Sequence, residues 1–337
     1  MPAEWERHEA VWLSWPYDES TFPDRIKEVE NIYLKIISAL HNGEKINLLV
    51  KDEEMKNRVE KTLLDYGINL YQVVFHIYDY ADVWFRDYGP IFLVNKREKA
   101  LSIVKWQFNA WGEKYEELIK DTNIPYLMNE KLNLPLYSPN IVLEGGSIDV
   151  NGEGVLLTTK QCLLNKNRNK KLKVEEIEYF LREYLGVRDI IWLEGGVDGD
   201  DTDGHIDDVA RFVNENTVLA CFEADENDVN YNVLKKNYEI LLNYRTAEGK
   251  RLNVVKLPMP KPIEINGQRL PASYANFYIG NSAVLVPVFN QPTDTEAIEI
   301  IGAFFPERKI VAIDCNDLIV GFGAIHCITQ QQPLLEG

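Results

Sequence analysis

The feature that most constrains the fold is a recurring order of elements: two short apolar strands, an amphipathic helix, then a third strand. A repeated unit of this kind cannot bury its apolar face alone and has to pack against its neighbours. One unit reads VARFV and TVLAC, a helix over about 228–242, then LNVVKLP. The next reads YANFYIG and AVLVPV, a helix DTEAIEIIGAFF opening at Asp294, then KIVAIDC. An earlier one reads SIDV and GVLLTT, a helix VEEIEYFLREYL stopped by Gly186, then DIIWLE. Before it come PIFLVN and LSIVKW, a helix after Trp111 and a strand near NIVLE. The fifth unit joins the two ends of the chain, with IHCIT and AVWLSW as its first strands and INLLV as its last. Its helix, over 25–41, places Ile26, Val29, Ile32, Tyr33, Ile36, Ile37 and Leu40 at helical spacing and stops at Gly43. A second helix over about 53–66 and the strand YQVVFHI remain as an insertion.

Five mixed units predict an α/β fold in which small blades close into a ring, because closure protects the sheet edges. An open α/β sheet is the alternative. No Pro/Gly/Ser-rich linker interrupts the pattern, so residues 1–337 read as one domain.

Composition excludes several classes. No uninterrupted apolar run approaches the roughly 18–20 residues that span a membrane, and MPAEWERHEA lacks a signal peptide's basic start and apolar middle. Cys162, Cys221, Cys315 and Cys327 are widely spaced with no CxxC pair, which argues against a zinc site and a disulfide scaffold. A cytoplasmic protein with free thiols is expected. The 53 acidic residues against 36 basic ones give a net charge of −17, a field that repels nucleic acid and attracts small cations.

The chemistry-bearing segments fall at one place in the repeat, just before or at the first strand of a unit. They are WFRDYGP (84–90), Glu144-Gly145-Gly146, Glu194-Gly195-Gly196 followed by 198–208, and GFGAIHC (321–327). In a ring of equivalent units such junctions lie at one end of the axis and converge on one pocket. Cys327 is then a candidate nucleophile and His205 a candidate acid/base, beside the carboxylates Asp87 and Asp207. Acyl transfer wants oxyanion donors rather than more anions. The surplus of carboxylates fits a cationic electrophile instead: a guanidinium, whose N–H fork two carboxylates can grip while its carbon faces a thiolate. Taken singly, a cysteine, a histidine or a glycine pair is usually packing or a turn, and the acidic run 198–203 a solvated loop or, less readily, a hard-cation site. Their co-location is what carries the reading.

At these residues the chain resembles the agmatine deiminase family, within the guanidine-modifying (pentein) superfamily that includes bacterial peptidylarginine deiminases. The resemblance runs from WERHEAVWLSWP to IHCITQQQP and is most specific at WFRDYGP, VLEGGSIDVNGEGVLLTT, NKNRN, DTDGHIDDVARF and GFGAIHCITQQ. It implies a pentein fold, a five-bladed pseudo-symmetric propeller of ββαβ units, and a homodimer. It also implies Cys327 as nucleophile, His205 as catalytic histidine, Asp87 and Asp207 as the guanidinium clamp, and Glu144 as support for the histidine. Trp84 matches an aromatic residue lining the site, and Asp201 a further acidic position assigned to substrate binding. Family tails commonly read GGGNIHC, whereas here Phe322 and Ala324 replace a glycine and the asparagine.

The expected activity is hydrolysis of a small cationic guanidine, agmatine, with no metal and no organic cofactor. The product would be N-carbamoylputrescine, a polyamine precursor, released from a thiouronium on Cys327. The rivals are a deiminase of peptidyl or free arginine, an amidino transferase, and a non-catalytic protein that binds a polyamine or guanidinium. Partners other than the substrate are not expected: no nucleic acid and no membrane.

Overall fold

The apolar positions that recur every three to four residues after Arg25 fold as their spacing predicts. In the computed structural model, which describes residues 1–335, Ile26–Leu40 is a helix that buries Val29, Ile32, Tyr33, Ile36, Ile37 and Leu40. Each such side chain contributes ~1.5–3 kcal/mol when removed from water. Strand His8–Ser14 runs antiparallel to Gln330–Pro333 on one side and parallel to Lys45–Val50 on the other, so one sheet takes strands from both ends of the sequence. The insertion extends this sheet: after helix Glu53–Asp65, strand Val73–Ile77 adds parallel to Lys45–Val50.

The other four units repeat one topology, an antiparallel pair, a helix, then a parallel third strand. They are Ile91–Asn95, Ala100–Val104 and Leu136–Tyr137; Asp149–Val150, Val155–Thr159 and Asp189–Leu193; Ala210–Asn214, Thr217–Phe222 and Asn253–Pro258; and Tyr278–Ile279, Ala283–Val288 and Lys309–Asp314. The intervening helices are Ile124–Leu132, Val174–Leu185, Tyr231–Asn243 and Asp294–Gly302. The fold is mixed α/β. No helix among the described residues is long and apolar enough to cross a membrane.

Two expected strands lie elsewhere, each for a local reason. Near NIVLE only an isolated bridge from Gln107 to Val142 forms, and the third strand is Leu136–Tyr137. The Asn169 side chain takes both Val142 N and Val142 O, each within 2.9 Å, so that backbone is satisfied without a ladder. In the tail, IHCIT is a turn and the strand starts at Gln330. There His326 N and Cys327 N bond the Asn276 side chain, and Cys327 O accepts from Arg86 N at 3.1 Å. SIDV and YANFYIG likewise contribute only two strand residues each. The helix after Trp111 begins at Ile124, beyond a 3₁₀ stretch Glu116–Asn123. These shortened strands leave irregular backbone before each ladder, and the polar site is built there.

Candidate active site

Asp87 sits in a single helical turn, Phe85–Tyr88, and is buried. Its Oδ1 accepts from Gly146 N at 2.9 Å and its Oδ2 from Trp111 Nε1 at 2.9 Å. Burial raises its pKa to about 6, against a lowering by His205. Glycine at 146 is required by close approach, since a Cβ there would lie 2.5 Å from His205 Nδ1 and 2.9 Å from Asp87 Oδ1.

His205 is buried between two carboxylates, with Nδ1 3.7 Å from Asp87 Oδ1 and Nε2 3.8 Å from Glu144 Oε2. Among the described residues neither ring nitrogen has a hydrogen-bond partner. Burial works against its charge, but Asp87 first, then Cys162 and Glu144, hold its pKa well above the ordinary value. Glu144 remains ionised despite burial because of the Arg168 guanidinium, whose Nε is 2.6 Å from its Oε1, and then His205. The buried Arg168 also reaches Asp203 at 2.7 Å and Thr202 O at 2.8 Å, so one guanidinium braces both sides of the histidine loop.

Asp207 lies in the 3₁₀ turn Ile206–Asp208. Its Oδ2 is 2.7 Å from His326 Nδ1 and 3.7 Å from Cys327 Sγ, while Oδ1 is buried with no partner among the described residues. Burial raises its pKa, but the hydrogen bond and charge of His326 hold it below the usual carboxylate range. Behind it, His326 Nε2 is 2.8 Å from Glu4 Oε2, and Glu4 in turn meets Arg211 at 3.0 Å. Cys327 itself lies in a turn, with Asn276 Nδ2 3.1 Å from its sulfur. Burial, then Asp207, Asp208 and Asp87, push its thiol pKa well up.

Cys327 and Asp87 open on a cavity of about 290 Å³ whose other walls include Trp84, Trp111, Tyr115, Asp201 and Phe322. Trp84 is held by its Nε1 donating to Asp82 Oδ2 at 3.0 Å. Asp201 accepts from Tyr115 OH at 2.6 Å, and burial raises its pKa to about 6. Phe322 adopts a left-handed φ of 69°, a conformation that strains a bulky residue. Gly321 comes so close to Trp84 that a Cβ would sit 2.8 Å from the ring.

The run 198–203 is neither a free solvated loop nor a cation cradle. Asp200 accepts from the backbone N–H of Thr202, Gly204 and His205, which shapes the turn carrying the histidine. Asp203 is already paired with Lys114 and Arg168.

All of the residues singled out in the sequence, Trp84, Asp87, Glu144, Asp201, His205, Asp207 and Cys327, therefore gather at one site. The sequence reading overlooked Asn276, Trp111 and Glu4. Arg168, Arg211 and His326 stood inside quoted motifs, NKNRN, DTDGHIDDVARF and IHC, without a role. Asn276 and Glu4 offer no local signal, since only the fold brings them to the motif residues.

Residues 1–333 match the family described as Porphyromonas-type peptidyl-arginine deiminase. An agmatine deiminase of Medicago truncatula is 34% identical, over 99% of this chain and 96% of that one. The solved agmatine deiminase of Enterococcus faecalis superposes with a TM-score of 0.91 at 32% identity, covering 99% of this chain and 95% of that one. A C. jejuni agmatine deiminase with substrate bound gives 0.88 at 34% identity, covering 100% and 96%. Whole-chain likeness of this extent, together with the gathered Cys, His and carboxylates, leads to one conclusion: the chain belongs to the Porphyromonas-type peptidyl-arginine deiminase family and, with its agmatine deiminase relatives, to the hydrolases of C–N bonds.

Proposed function

We propose that this protein hydrolyses agmatine to N-carbamoylputrescine and ammonia through a covalent bond to Cys327. The observation that carries this reading is the cavity wall. Cys327 shares it with Asp18, Asp82, Asp87, Glu117 and Asp201, and among the described residues no lysine, arginine or histidine lines it. Agmatine presents a guanidinium at one end, an amine at the other and no carboxylate. Free arginine would bring its own carboxylate against these anions, at a Coulombic cost. The agmatine deiminase names of the Medicago and Enterococcus relatives support the same substrate.

In this mechanism Asp87 and Asp207 grip the guanidinium bidentately. The bound cation weakens the field of the carboxylates that keep the thiol protonated, so substrate itself favours the thiolate, the thiol proton leaving to solvent. The thiolate attacks the guanidinium carbon, and the imidazolium of His205 gives its proton to the departing ammonia. A thiouronium remains on Cys327. Neutral His205 then takes a proton from water, whose hydroxide adds to the same carbon. As the adduct collapses, the hydroxyl proton leaves to solvent, the ureido C=O forms and the S–C electron pair returns to sulfur as the thiolate. Glu144, fixed by Arg168, steers His205, while Trp84 lines the site and Asp201 meets the distal amine. No metal or organic cofactor enters these steps.

The test is ammonia release from agmatine, free arginine and a blocked peptidyl-arginine, given separately, with Cys327→Ala as control. Turnover of agmatine alone, lost in the variant with the fold intact, is expected. Near-normal turnover by Cys327→Ala would sink the covalent mechanism, and preference for a peptidyl or free arginine would sink the substrate.

The same reading includes one catalytic domain whose five units close into a ring. Contacts between successive units support it. Asp149 of one pairs with Arg211 of the next, Arg211 donates to Phe277 O of the following unit, and Ile279 N there donates to Glu4 beside the first sheet. Strand Gln330–Pro333 also packs against Ile91–Asn95. A cytoplasmic location fits four buried free thiols. A homodimer rests on family resemblance alone.

A further inference from the structure

Asn276 touches the reacting sulfur and has no part in the steps above. It precedes strand Tyr278–Ile279 and is fully buried. Its Oδ1 accepts from His326 N at 2.8 Å and Cys327 N at 3.3 Å, and its Nδ2 donates to Asp208 Oδ1 at 3.0 Å and to Cys327 Sγ at 3.1 Å. The orientation of the amide is settled by this network. Turning it over would set an NH₂ against two backbone N–H donors and a carbonyl against a carboxylate and the sulfur.

The other side chains facing the sulfur are anionic when charged. Asp207 Oδ2 stands 3.7 Å away, and Asp208 and Asp87 add to the field. His326 is adjacent in sequence but engages Asp207 and Glu4. Together with burial these carboxylates raise the thiol's pKa, and the backbone at Ala324 acts the other way.

We propose that Asn276 is a catalytic residue that donates its Nδ2–H to the Cys327 sulfur whenever the sulfur is negative. The proposal rests on Cys327 being the nucleophile. Its sulfur is anionic at two points, before attack and when the water adduct collapses. In the first, the sulfur's electron pair becomes the S–C bond and the hydrogen bond weakens. In the second, that pair returns to sulfur and the hydrogen bond is remade. A donor costs some nucleophilicity, but with a slope of only about 0.4–0.5 per pKa unit. Below the thiol's pKa the gain in thiolate fraction therefore outweighs the loss. The Oδ1 side holds the backbone of His326 and Cys327, so a single amide sets both the place and the charge of the sulfur.

The measurement is the rate of Cys327 alkylation by iodoacetamide over about pH 6–10, on the limb below the raised thiol midpoint, where the rate follows the thiolate fraction. It is followed by intact mass, with Cys327→Ala defining the background from other thiols. Loss of a hydrogen bond to a charged atom is expected to slow alkylation by on the order of tenfold in Asn276→Ala along this limb. In turnover, kcat should fall with little change in KM. Asn276→Asp keeps the shape and an acceptor oxygen, adds an anion, and is expected to slow alkylation further. It provides the reading if the alanine variant does not fold. Rates and kcat equal to wild type in a folded variant overturn the proposal. Near-normal turnover of agmatine by Cys327→Ala overturns the nucleophile reading and the proposal with it.

Discussion

In the proposed clamp, Asp87 sets how the site responds to acid. There its carboxylate has to be ionised to grip a cation, yet burial has raised its pKa to about 6. As pH falls through that value the clamp loses its charge, so kcat/KM should decline about tenfold per unit below it. A profile of kcat/KM against pH that stays flat down to about pH 4.5 would refute the raised value, since only an Asp titrating near its unperturbed pKa of about 3.9 stays ionised there. At this scale the sequence was legible in placing Cys327, His205 and Glu144, each in a glycine-containing motif, in the cluster that the fold assembles. It was opaque for Asn276, set in the largely apolar run YANFYIG, because a neutral amide acquires its role only from what the fold places around it. The departure at 322 has a structural counterpart, since Phe322 holds a backbone conformation suited to glycine while lining the cavity.

Among the elements, two glycines separate fold from function. Gly186 ends helix Val174–Leu185 with φ 68°, its N–H donating to Arg182 O, and a Cβ there would meet nothing within 4 Å. Gly186→Ala should therefore cost about 1 kcal/mol of stability through backbone strain and leave turnover unchanged. Gly146→Ala should do the reverse, abolishing turnover, because its methyl group would displace His205 and Asp87 from each other. Denaturant melts and ammonia release on both variants check the pair; loss of activity in Gly186→Ala, or its retention in Gly146→Ala, would contradict this division. Helix Val174–Leu185 begins and ends where the periodic pattern and its glycine stop predict. The tail strand does not, because side chains of Asn276 and its neighbours meet the backbone groups a ladder would have used. Periodicity reports burial, and it is silent about which partner satisfies a peptide group.

For the whole molecule, buried acids dominate the dependence of stability on pH. Burial raises Asp82, Asp87 and Asp201 to about 6 and Asp121 to about 7. Between their unfolded values and these, the native state binds more protons than the unfolded chain, so their contribution is full below about pH 4 and is lost as pH rises through 6–7. His205, raised, loses its contribution in the same direction, while His76 at about 4 and the Met1 amine at about 6 oppose it. The urea midpoint should accordingly fall between about pH 5 and pH 7.5; a midpoint that rises would refute the balance. The order of two strands, helix and strand was visible at this scale in the sequence, since it depends only on apolar spacing. The contacts between units were not, because they run through buried ion pairs such as Asp149 with Arg211.

The first sheet, which takes strands His8–Ser14 and Gln330–Pro333 from distant parts of the sequence, has a further consequence. A chain opened in the exposed turn 247–250 falls into two pieces that share that sheet and also the pairing of Thr217–Phe222 with Asn253–Pro258. One piece carries Asp87, Glu144 and His205, and the other carries Asn276 and Cys327. On the proposed mechanism neither half holds a working site, so the protein is divisible into two silent fragments whose catalysis reports their reunion.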